Sequence, residues 1–281
     1  MPVQFTILGS GSGGNCAYLE TPEARILIDA GFSPRQIRTR LASIGRVPES
    51  LTAIIITHEH IDHVCGLIGL ADKLRIPVYC NRATQVEVIS DFKARWASKR
   101  KPVLNGMESV GDAQTQLDWR LFQTGASFDL GDVLVETFSI PHDAADPVGF
   151  LLRTPQGNIG FLTDLGHATQ LALDRVHPAH MLVLESNHDV KMVQDCPRRP
   201  WSLKQRILGR HGHLSNEAAA EAAEQVMSAD LRRVYLAHLS RECNKPDLAH
   251  RVMSERLQKI GANHVTVENT AQDKPCATVT L

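Results

Sequence analysis

The sequence has no apolar run close to the roughly 20 residues that a membrane-spanning helix needs. Its beginning, residues 1–6, carries no charged stretch followed by a long apolar core, so we expect no secretory signal. The six cysteines are scattered along the chain and form no C-x-x-C pair. These absences argue against a membrane span and favour a cytoplasmic protein with reduced thiols.

Charge of one sign is not in excess either, because the formal net charge is −1 over 281 residues. The overall charge therefore gives no indication of a nucleic-acid partner, and only local patches can do so. The length allows one large domain or two small ones, and no stretch of the sequence is typical of a long linker. We expect a single domain over residues 1–281.

A nucleotide-binding P-loop is also missing, although a glycine-rich loop, residues 9–15, follows the strand-like segment 3–8. The pattern G-x-x-x-x-G-K-[ST] does not occur there. Two strand-like segments, 16–20 and 25–29, come next, where a phosphate-binding helix would be needed. The loop instead favours a close approach of the backbone to a metal site or to a substrate phosphate.

The most informative segment of the sequence is 57–63, Thr-His-Glu-His-Ile-Asp-His, which follows a short run of apolar, β-branched residues. That run predicts a buried strand, so the ligand-rich segment lies where a core strand ends. His58 and His60 are two residues apart and point to the same side of an extended chain. Asp62 and His63 follow a turn and can face a second metal. Imidazole and carboxylate groups together fit a hydrolytic metal pair, and a polar loop rich in histidine is the alternative.

Further potential ligands stand directly after other predicted strands. The predicted strands 133–139, 158–162 and 234–236 are followed by His142, Asp164 and His238. Taken alone, His142 is typical of an ordinary turn and Asp164 of a helix N-cap. Scattered core residues would not be expected to follow strand after strand, so the pattern predicts a composite site at one edge of packed sheets.

The H-x-H-x-D-H segment after an apolar strand resembles the signature of the metallo-β-lactamase superfamily. This resemblance implies an α/β protein built as a four-layer αββα sandwich, with two mixed sheets face to face and helices outside. It implies one metal held by His58, His60 and His142, a second held by Asp62, His63 and His238, and a bridging Asp164. The expected cofactors are two divalent ions, zinc and/or manganese, with iron also compatible. Asp62 is expected to orient a water between them and to accept its proton.

Two segments bear on the substrate. Residues 212–216 open a predicted helix, where His213 and free N–H groups would clamp a phosphate, and the alternative is a capping Ser215 beside a surface histidine. Residues 191–213 carry six cations against one acid, Asp195. A second basic run, residues 93–101 around Trp96, is interpreted as a solvated helix face, with a phosphate-contacting patch as the alternative.

Motifs along nearly the whole chain resemble the YycJ (WalJ) branch of the superfamily, which consists of bacterial exonucleases linked to DNA processing. The motifs are residues 9–15, 27–31, 57–60, 185–189, 212–216 and 237–242. The resemblance implies a metal-dependent phosphodiester hydrolase that acts on nucleic acid, with a 5′-directed exonuclease on DNA as the expected form.

Asp62 and His213 are the expected catalytic residues of such an enzyme. The expected substrate contacts are Asn187, Arg206, Arg210, Ser215 and Ser240. Two alternatives remain. One is a small-molecule hydrolase of the same fold, such as a cyclic phosphodiesterase or a glyoxalase- or lactonase-like enzyme, and the other is a non-catalytic binding module.

Overall fold

The computed structural model describes residues 2–99 and 117–281. Its strands form where apolar and β-branched residues are concentrated. In chain order the strands are β1 (Gln4–Gly9), β2 (Cys16–Glu20), β3 (Arg25–Ile28), β4 (Ala53–Ile55), β5 (Val78–Asn81), β6 (Trp119–Phe122), β7 (Ser127–Leu130), β8 (Val133–Ser139), β9 (Val148–Thr154), β10 (Gly157–Leu162), β11 (Met181–Glu185), β12 (Arg233–Ala237), β13 (Thr266–Asn269) and β14 (Val279–Thr280).

These strands form two seven-stranded sheets, ordered β14-β1-β2-β3-β4-β5-β6 and β13-β12-β11-β10-β9-β8-β7. Each sheet has an antiparallel half and a parallel half. The parallel half runs from β3 to β6 in the first sheet and from β10 to β13 in the second. The carboxyl ends of neighbouring parallel strands meet at one edge of a sheet. The segments that follow β3, β4, β10, β11 and β12 therefore lie close together within their sheets.

The two sheets pack face to face around an apolar core. Phe5 and Ile26 come from the first sheet, and Phe150, Phe161 and Tyr235 from the second. The ring of Phe5 lies edge-on to those of Phe161 and Tyr235, with centroids 5.8 Å and 5.9 Å away. This arrangement is favourable for aromatic pairs and fixes one sheet against the other.

Helices cover the outer faces of both sheets. In chain order they are α1 (Pro34–Ser43), α2 (Ile61–Val64), α3 (Leu67–Leu74), α4 (Arg82–Lys99), α5 (Gln170–Val176), α6 (Val190–Asp195), α7 (Trp201–Ile207), α8 (Asn216–Gln225) and α9 (Pro246–Lys259), with a short 3-10 helix at Pro48–Ser50. Ile37 of α1 and Leu67 of α3 pack on the first sheet, and Leu173 of α5, Ala219 of α8 and Met253 of α9 pack on the second. The predicted αββα sandwich is thus confirmed.

Some short elements are not predicted by the sequence patterns. Strands β6 and β13 contain no buried residue, so they lack the apolar alternation that identifies a strand. The predicted basic run lies partly beyond the described part of α4, because Arg100, Lys101 and the side chains of Trp96 and Lys99 lie outside the described residues. Within residues 2–99 and 117–281, no helix has both the length and the apolar character to cross a bilayer.

Candidate metal centre

The seven predicted ligands come together at one edge of the sandwich. His58 and His60 follow β4, and Asp62 and His63 lie on the short helix α2. The remaining three, His142, Asp164 and His238, follow β8, β10 and β12. The pattern of ligands after strand ends therefore corresponds to one site, to which both sheets contribute.

The first cluster consists of His58, His60 and His142, whose ligand nitrogens lie within 4.8 Å of one another. Nε2 of His142 is 3.3 Å from Nδ1 of His60. Nε2 of His58 is buried and has no hydrogen-bond partner. Burial and the neighbouring His63 lower the pKa of His58 well below 6.5, and burial lowers the pKa of His142. Three imidazoles whose ring nitrogens converge are typical of a divalent metal site.

Neutral groups hold this first cluster in place. The Thr57 hydroxyl donates to Asp29, so at 3.0 Å it accepts the Nδ1–H of His58. Nδ1 of His142 is 3.0 Å from the carbonyl oxygen of Gly212 and donates to it. Because Nδ1 of both rings carries the proton, Nε2 of both rings is free to bind a metal.

The second cluster consists of Asp62, His63 and His238. Nε2 of His238 is 3.2 Å from Oδ2 of Asp62. Asp164 lies between the two clusters. Its carboxylate is within 4.8 Å of ligand nitrogens of His58 and His63, and also of His238. Its Oδ2 is buried without a hydrogen-bond partner and lies 3.1 Å from Nε2 of His63. A buried carboxylate oxygen of this kind fits a bridging metal ligand.

Two further carboxylates support the second cluster. Oδ2 of Asp29 is 2.7 Å from Nδ1 of His63. Oε1 of the fully buried Glu185 is 3.0 Å from Nδ1 of His238 and 2.7 Å from Nδ1 of His213. Both carboxylates fall within sequence motifs, residues 27–31 and 185–189, but the motifs alone predict no role for them. Their positions at strand ends could have indicated them, as for the ligands, because Asp29 follows β3 and Glu185 ends β11.

The negative charges of the carboxylates raise the histidine pKa values in the second cluster, whereas those in the first cluster are lowered. Burial lowers the pKa of His63, but Asp164 and Asp29 outweigh it and raise that pKa well above 6.5. Burial is likewise outweighed at His238, whose pKa is raised well above 6.5 by Asp164, Asp62 and Glu185. Although burial favours the neutral acid, His213 and His238 lower the pKa of Glu185 to about 2. The second cluster is therefore much more anionic in character than the first.

Backbone hydrogen bonds from two neighbouring loops hold the α2 segment in place. The N–H groups of Asn15 and Ala30 donate to the carbonyls of Asp62 and His63 at 2.7 Å and 2.8 Å. A Cβ atom on Gly31 would lie 1.7 Å from the Asp62 carbonyl oxygen, so only glycine fits there. This contact explains why the glycine-rich loop and residues 27–31 lie beside the ligands.

Three of the site's carboxylate and imidazole residues have left-handed backbone conformations. The φ angles are 60° at Asp29, 60° at Asp164 and 54° at His238. Such conformations cost free energy in L-residues, and they persist where the surrounding structure fixes them.

The ligands open onto a cavity of about 540 Å³. Arg199 and Arg206 contribute to one part of its wall, and Glu87 and Asp91 of α4 contribute to another. Arg206 forms an ion pair with Asp143, which also lines the cavity. Apart from the ligands, the wall therefore carries both cations and carboxylates, and its cations on the side of residues 190–213 are Arg199 and Arg206.

The structure separates the predicted substrate residues into two groups. His213, Asn187, Ser240 and Arg206 line the cavity, whereas Arg210 and Ser215 are not among its described lining residues. The Ser215 hydroxyl caps α8 by accepting the N–H of Ala218 at 3.1 Å, which was the alternative interpretation of that residue.

Asn187 and Ser240 also have structural partners. The Asn187 amide donates to the carbonyl of His238 at 2.8 Å. The Ser240 hydroxyl accepts the N–H of Cys243 at 3.1 Å. Both residues therefore shape the loop that carries the His238 ligand, in addition to facing the cavity.

Comparison with known proteins agrees with this geometry. A family profile described as the beta-lactamase superfamily domain matches residues 24–239. The chain belongs to this superfamily. Its resemblance to the metallo-β-lactamase proteins and to their YycJ (WalJ) branch is confirmed by its curated relatives and by its structural neighbours.

The superfamily relatives include two that match most of the chain. It is 36% identical over 255 residues to the Exodeoxyribonuclease WalJ of Streptococcus pneumoniae, covering 90% of this chain and 88% of that protein. It is 35% identical over 262 residues to the Exodeoxyribonuclease YycJ of Bacillus anthracis, covering 93% and 91%. These relatives extend over both ligand clusters.

Solved structures share the fold. The metallo-beta-lactamase fold protein YhfI of Bacillus subtilis superposes with a TM-score of 0.68 at 16% identity, over 98% of this chain and 99% of that one. The short form of human tRNase Z superposes with a TM-score of 0.61 at 19% identity, over 98% of each chain. At these identities the similarity concerns the fold alone.

Proposed function

We propose that this protein is a metal-dependent exonuclease that hydrolyses phosphodiester bonds of DNA from the 5′ end, in the cytoplasm and as a single domain. The observation that carries the proposal is the pair of ligand clusters, joined by Asp164, at the floor of a cavity with cationic side chains in its wall. The relatives that are 35–36% identical over about 90% of the chain are named exodeoxyribonucleases, which supports DNA as the polymer.

The residues present fit two divalent cations. His58, His60 and His142 would hold one, Asp62, His63 and His238 would hold the other, and Asp164 would contact both. The unpartnered Nε2 of His58 and Oδ2 of Asp164 are the buried atoms that such ions would satisfy. When bound, the ions would supply a water of lowered pKa and positive charge next to the reacting phosphate. Zinc and manganese are the cations we propose, because the donors are imidazole and carboxylate groups.

Asp62 and His213 lie on the cavity wall with complementary roles in this proposal. Asp62 orients the attacking water and accepts its proton, since its carboxylate faces both the cavity and the second cluster. Nδ1 of His213 is held by the Glu185 carboxylate, so Nε2 is the ring nitrogen that can contact a substrate. We assign His213 to the reacting phosphate, where it donates to a phosphate oxygen or to the leaving 3′ oxygen.

Arg199 and Arg206 complete the proposed site by contacting phosphates of the polymer. A small-molecule hydrolase of the same fold is not favoured, because the relatives at 35–36% identity are exodeoxyribonucleases. A binding module without metals would have no need of the complete ligand set.

The test is the degradation of end-labelled DNA and RNA, single- and double-stranded, with and without a 5′ phosphate. The protein is assayed with manganese, with zinc and with a chelator. We expect metal-dependent release of mononucleotides from the 5′ end of DNA. The proposal fails if every polymer stays intact while a small phosphodiester or a thioester is cleaved.

A further inference from the structure

We propose that Cys196 and Cys243 are an oxidation site, at which a peroxide converts the two thiols into a reversible disulfide. The two residues are distant in sequence and meet in a small buried core that they share with Val193 and Ile207. Cys196 is the C-cap residue of α6, and Cys243 lies on the loop between β12 and α9 that also carries His238. The metal centre does not use either thiol, so formation of the disulfide does not depend on the proposed function.

The two thiols contact each other within a fixed backbone. The Cys243 thiol is hydrogen-bonded to the sulfur of Cys196. The N–H of Asp189, directly before α6, donates to the carbonyl oxygen of Cys243 at 2.9 Å. The N–H of Cys243 donates to the Ser240 hydroxyl at 3.1 Å. Because both segments are already held together, a bond between the sulfurs does not require distant parts of the chain to approach each other.

The surroundings of Cys196 are those of a reactive thiol. Burial favours its neutral form, but hydrogen bonds from the N–H groups of Arg198 and Arg199 and from the Cys243 thiol outweigh burial and lower its pKa. The thiolate is the form of cysteine that attacks peroxides and disulfides. A thiol of lowered pKa beside a second cysteine is the arrangement that is typical of redox-sensing proteins.

The exposed fractions of the two side chains assign their roles. Cys196 is 7% exposed, next to the exposed Pro197, whereas Cys243 is only 1% exposed. The Cys196 thiolate therefore attacks one oxygen of hydrogen peroxide, the O–O bond breaks, and a proton from solvent completes the water that leaves. The Cys243 thiol then attacks the sulfenic acid formed on Cys196, which creates the S–S bond and releases a second water. Two thiols are oxidised, and one peroxide is reduced to two waters.

The other cysteines do not share these features. Burial raises the pKa of Cys80 and of Cys276 to about 12, and burial also raises the pKa of Cys16. These thiols therefore stay protonated and unreactive. A metal site at the pair is not favoured, because among residues 2–99 and 117–281 no third histidine, cysteine or carboxylate forms a ligand cluster with Cys196 and Cys243.

The disulfide would also act on the wall of the cavity. Arg199 and Ser240 both line the cavity, and Nη2 of Arg199 is 3.5 Å from the Ser240 hydroxyl. Arg199 closely follows Cys196 in the chain, and Ser240 bonds to the N–H of Cys243. A covalent bond brings the two sulfurs closer than a hydrogen bond does, so it shifts these segments relative to each other. We therefore expect oxidation to slow the hydrolysis of DNA, and this consequence alone rests on the proposed function.

The test treats the zinc-loaded protein with hydrogen peroxide, because zinc has no redox chemistry of its own. Tryptic digestion without reductant should yield peptides 192–198 and 242–251 joined to each other, and a thiol reductant should separate them. Cys243→Ser should instead accumulate a sulfenic acid on Cys196, which dimedone traps, and Cys196→Ser should form neither product. Cys65→Ser is the control, because Cys65 is an exposed cysteine outside the pair and its loss should leave the joined peptides unchanged.

The digest of the wild-type protein decides the inference without any variant. The inference is overturned if both thiols remain free at a peroxide dose that fully oxidises an added reference thiol, or if either cysteine joins a different one. Thermal unfolding verifies that the serine variants are folded before their products are compared.

The rate of DNA degradation before and after oxidation tests the effect on the cavity. We expect a loss of about fivefold or more, the lower end of the usual coupling between two sites, that a reductant reverses and that Cys243→Ser does not show. A disulfide without loss of rate would reject the effect on the cavity and retain the oxidation site. If the untreated protein degrades no polymer, the proposed function fails, and the digest still decides whether the disulfide forms.

Discussion

The two ligand clusters differ less in their metal-facing atoms than in what lies behind them. In the first cluster the Nδ1 atoms of His58 and His142 bond to a hydroxyl and to a backbone carbonyl. In the second cluster the Nδ1 atoms of His63 and His238 bond to the carboxylates of Asp29 and Glu185. The imidazoles of the first cluster thus bond directly to neutral groups, and those of the second bond directly to carboxylates.

This difference has a chemical meaning for two cations in one site. A carboxylate behind a histidine makes the imidazole a stronger electron donor and fixes its orientation. The second cluster also contains Asp62, so we expect it to favour a harder cation than the three-histidine cluster. Three experiments test this difference between the clusters.

The largest effect is expected from Asp62→Ala. The variant removes the proposed proton acceptor and one ligand of the second cluster only. We expect turnover to fall by at least roughly 100-fold, the lower end for loss of a general base, while metal remains in the first cluster. The measurements are the rate of DNA degradation and the metal content per chain. Near-normal turnover would remove the role of Asp62.

An intermediate effect is expected from Asp29→Asn. The side chain still reaches Nδ1 of His63 but no longer carries charge. We expect the second metal to bind about 10- to 100-fold more weakly, the usual cost of losing such a partner, and the first to be weakened less, because Asp29 reaches His58 only through the Thr57 hydroxyl. Competition with a graded series of chelators measures both affinities. The exposed Asp230→Asn serves as the control, and equal weakening of both metals would contradict the comparison.

The smallest effect is a difference in how the two metals respond to acid. The pKa values of His63 and His238 are raised, so these imidazoles bind protons at pH values where His58 and His142, with lowered pKa values, are neutral. Protons compete with metal for each imidazole, and the competition begins at higher pH in the second cluster. As pH falls, we expect one metal per chain to leave before the other. Metal content after dialysis at stepped pH measures this, and simultaneous loss would argue against two distinct clusters.

The sequence identifies the candidate ligands because each of them is marked by a local pattern. A short motif contains His58 to His63, and the other ligands follow apolar strands whose ends meet at one edge of a sheet. The roles of Asp29 and Glu185 are not predicted in this way, since each depends on which histidine lies opposite after folding. Likewise Arg210 and Arg206 are equivalent in a basic segment, and only the helix α7 decides which of them faces the cavity.

The elements of the fold also divide into those that local sequence patterns predict and those that depend on contacts formed after folding. Buried strands such as β8 and β10 are recognised from apolar residues, and their order fits the superfamily sandwich. The edge strands β6, β7 and β13 are held by pairing with a neighbour rather than by burial, so composition does not reveal them. Helices α6 and α7 are short and polar, and their small core forms with Cys243, which is distant in sequence.

The left-handed conformations at Asp29, Asp164 and His238 bear on how this enzyme could be improved for practical use. Glycine adopts such angles without steric cost, so replacement at these positions would relieve roughly 1 kcal/mol of strain each. Replacement would also remove the buried hydrogen bonds of Asp29 and His238, so any gain in heat resistance at these positions would come only with loss of the proposed chemistry. Directed evolution of this scaffold needs selection for turnover at every round.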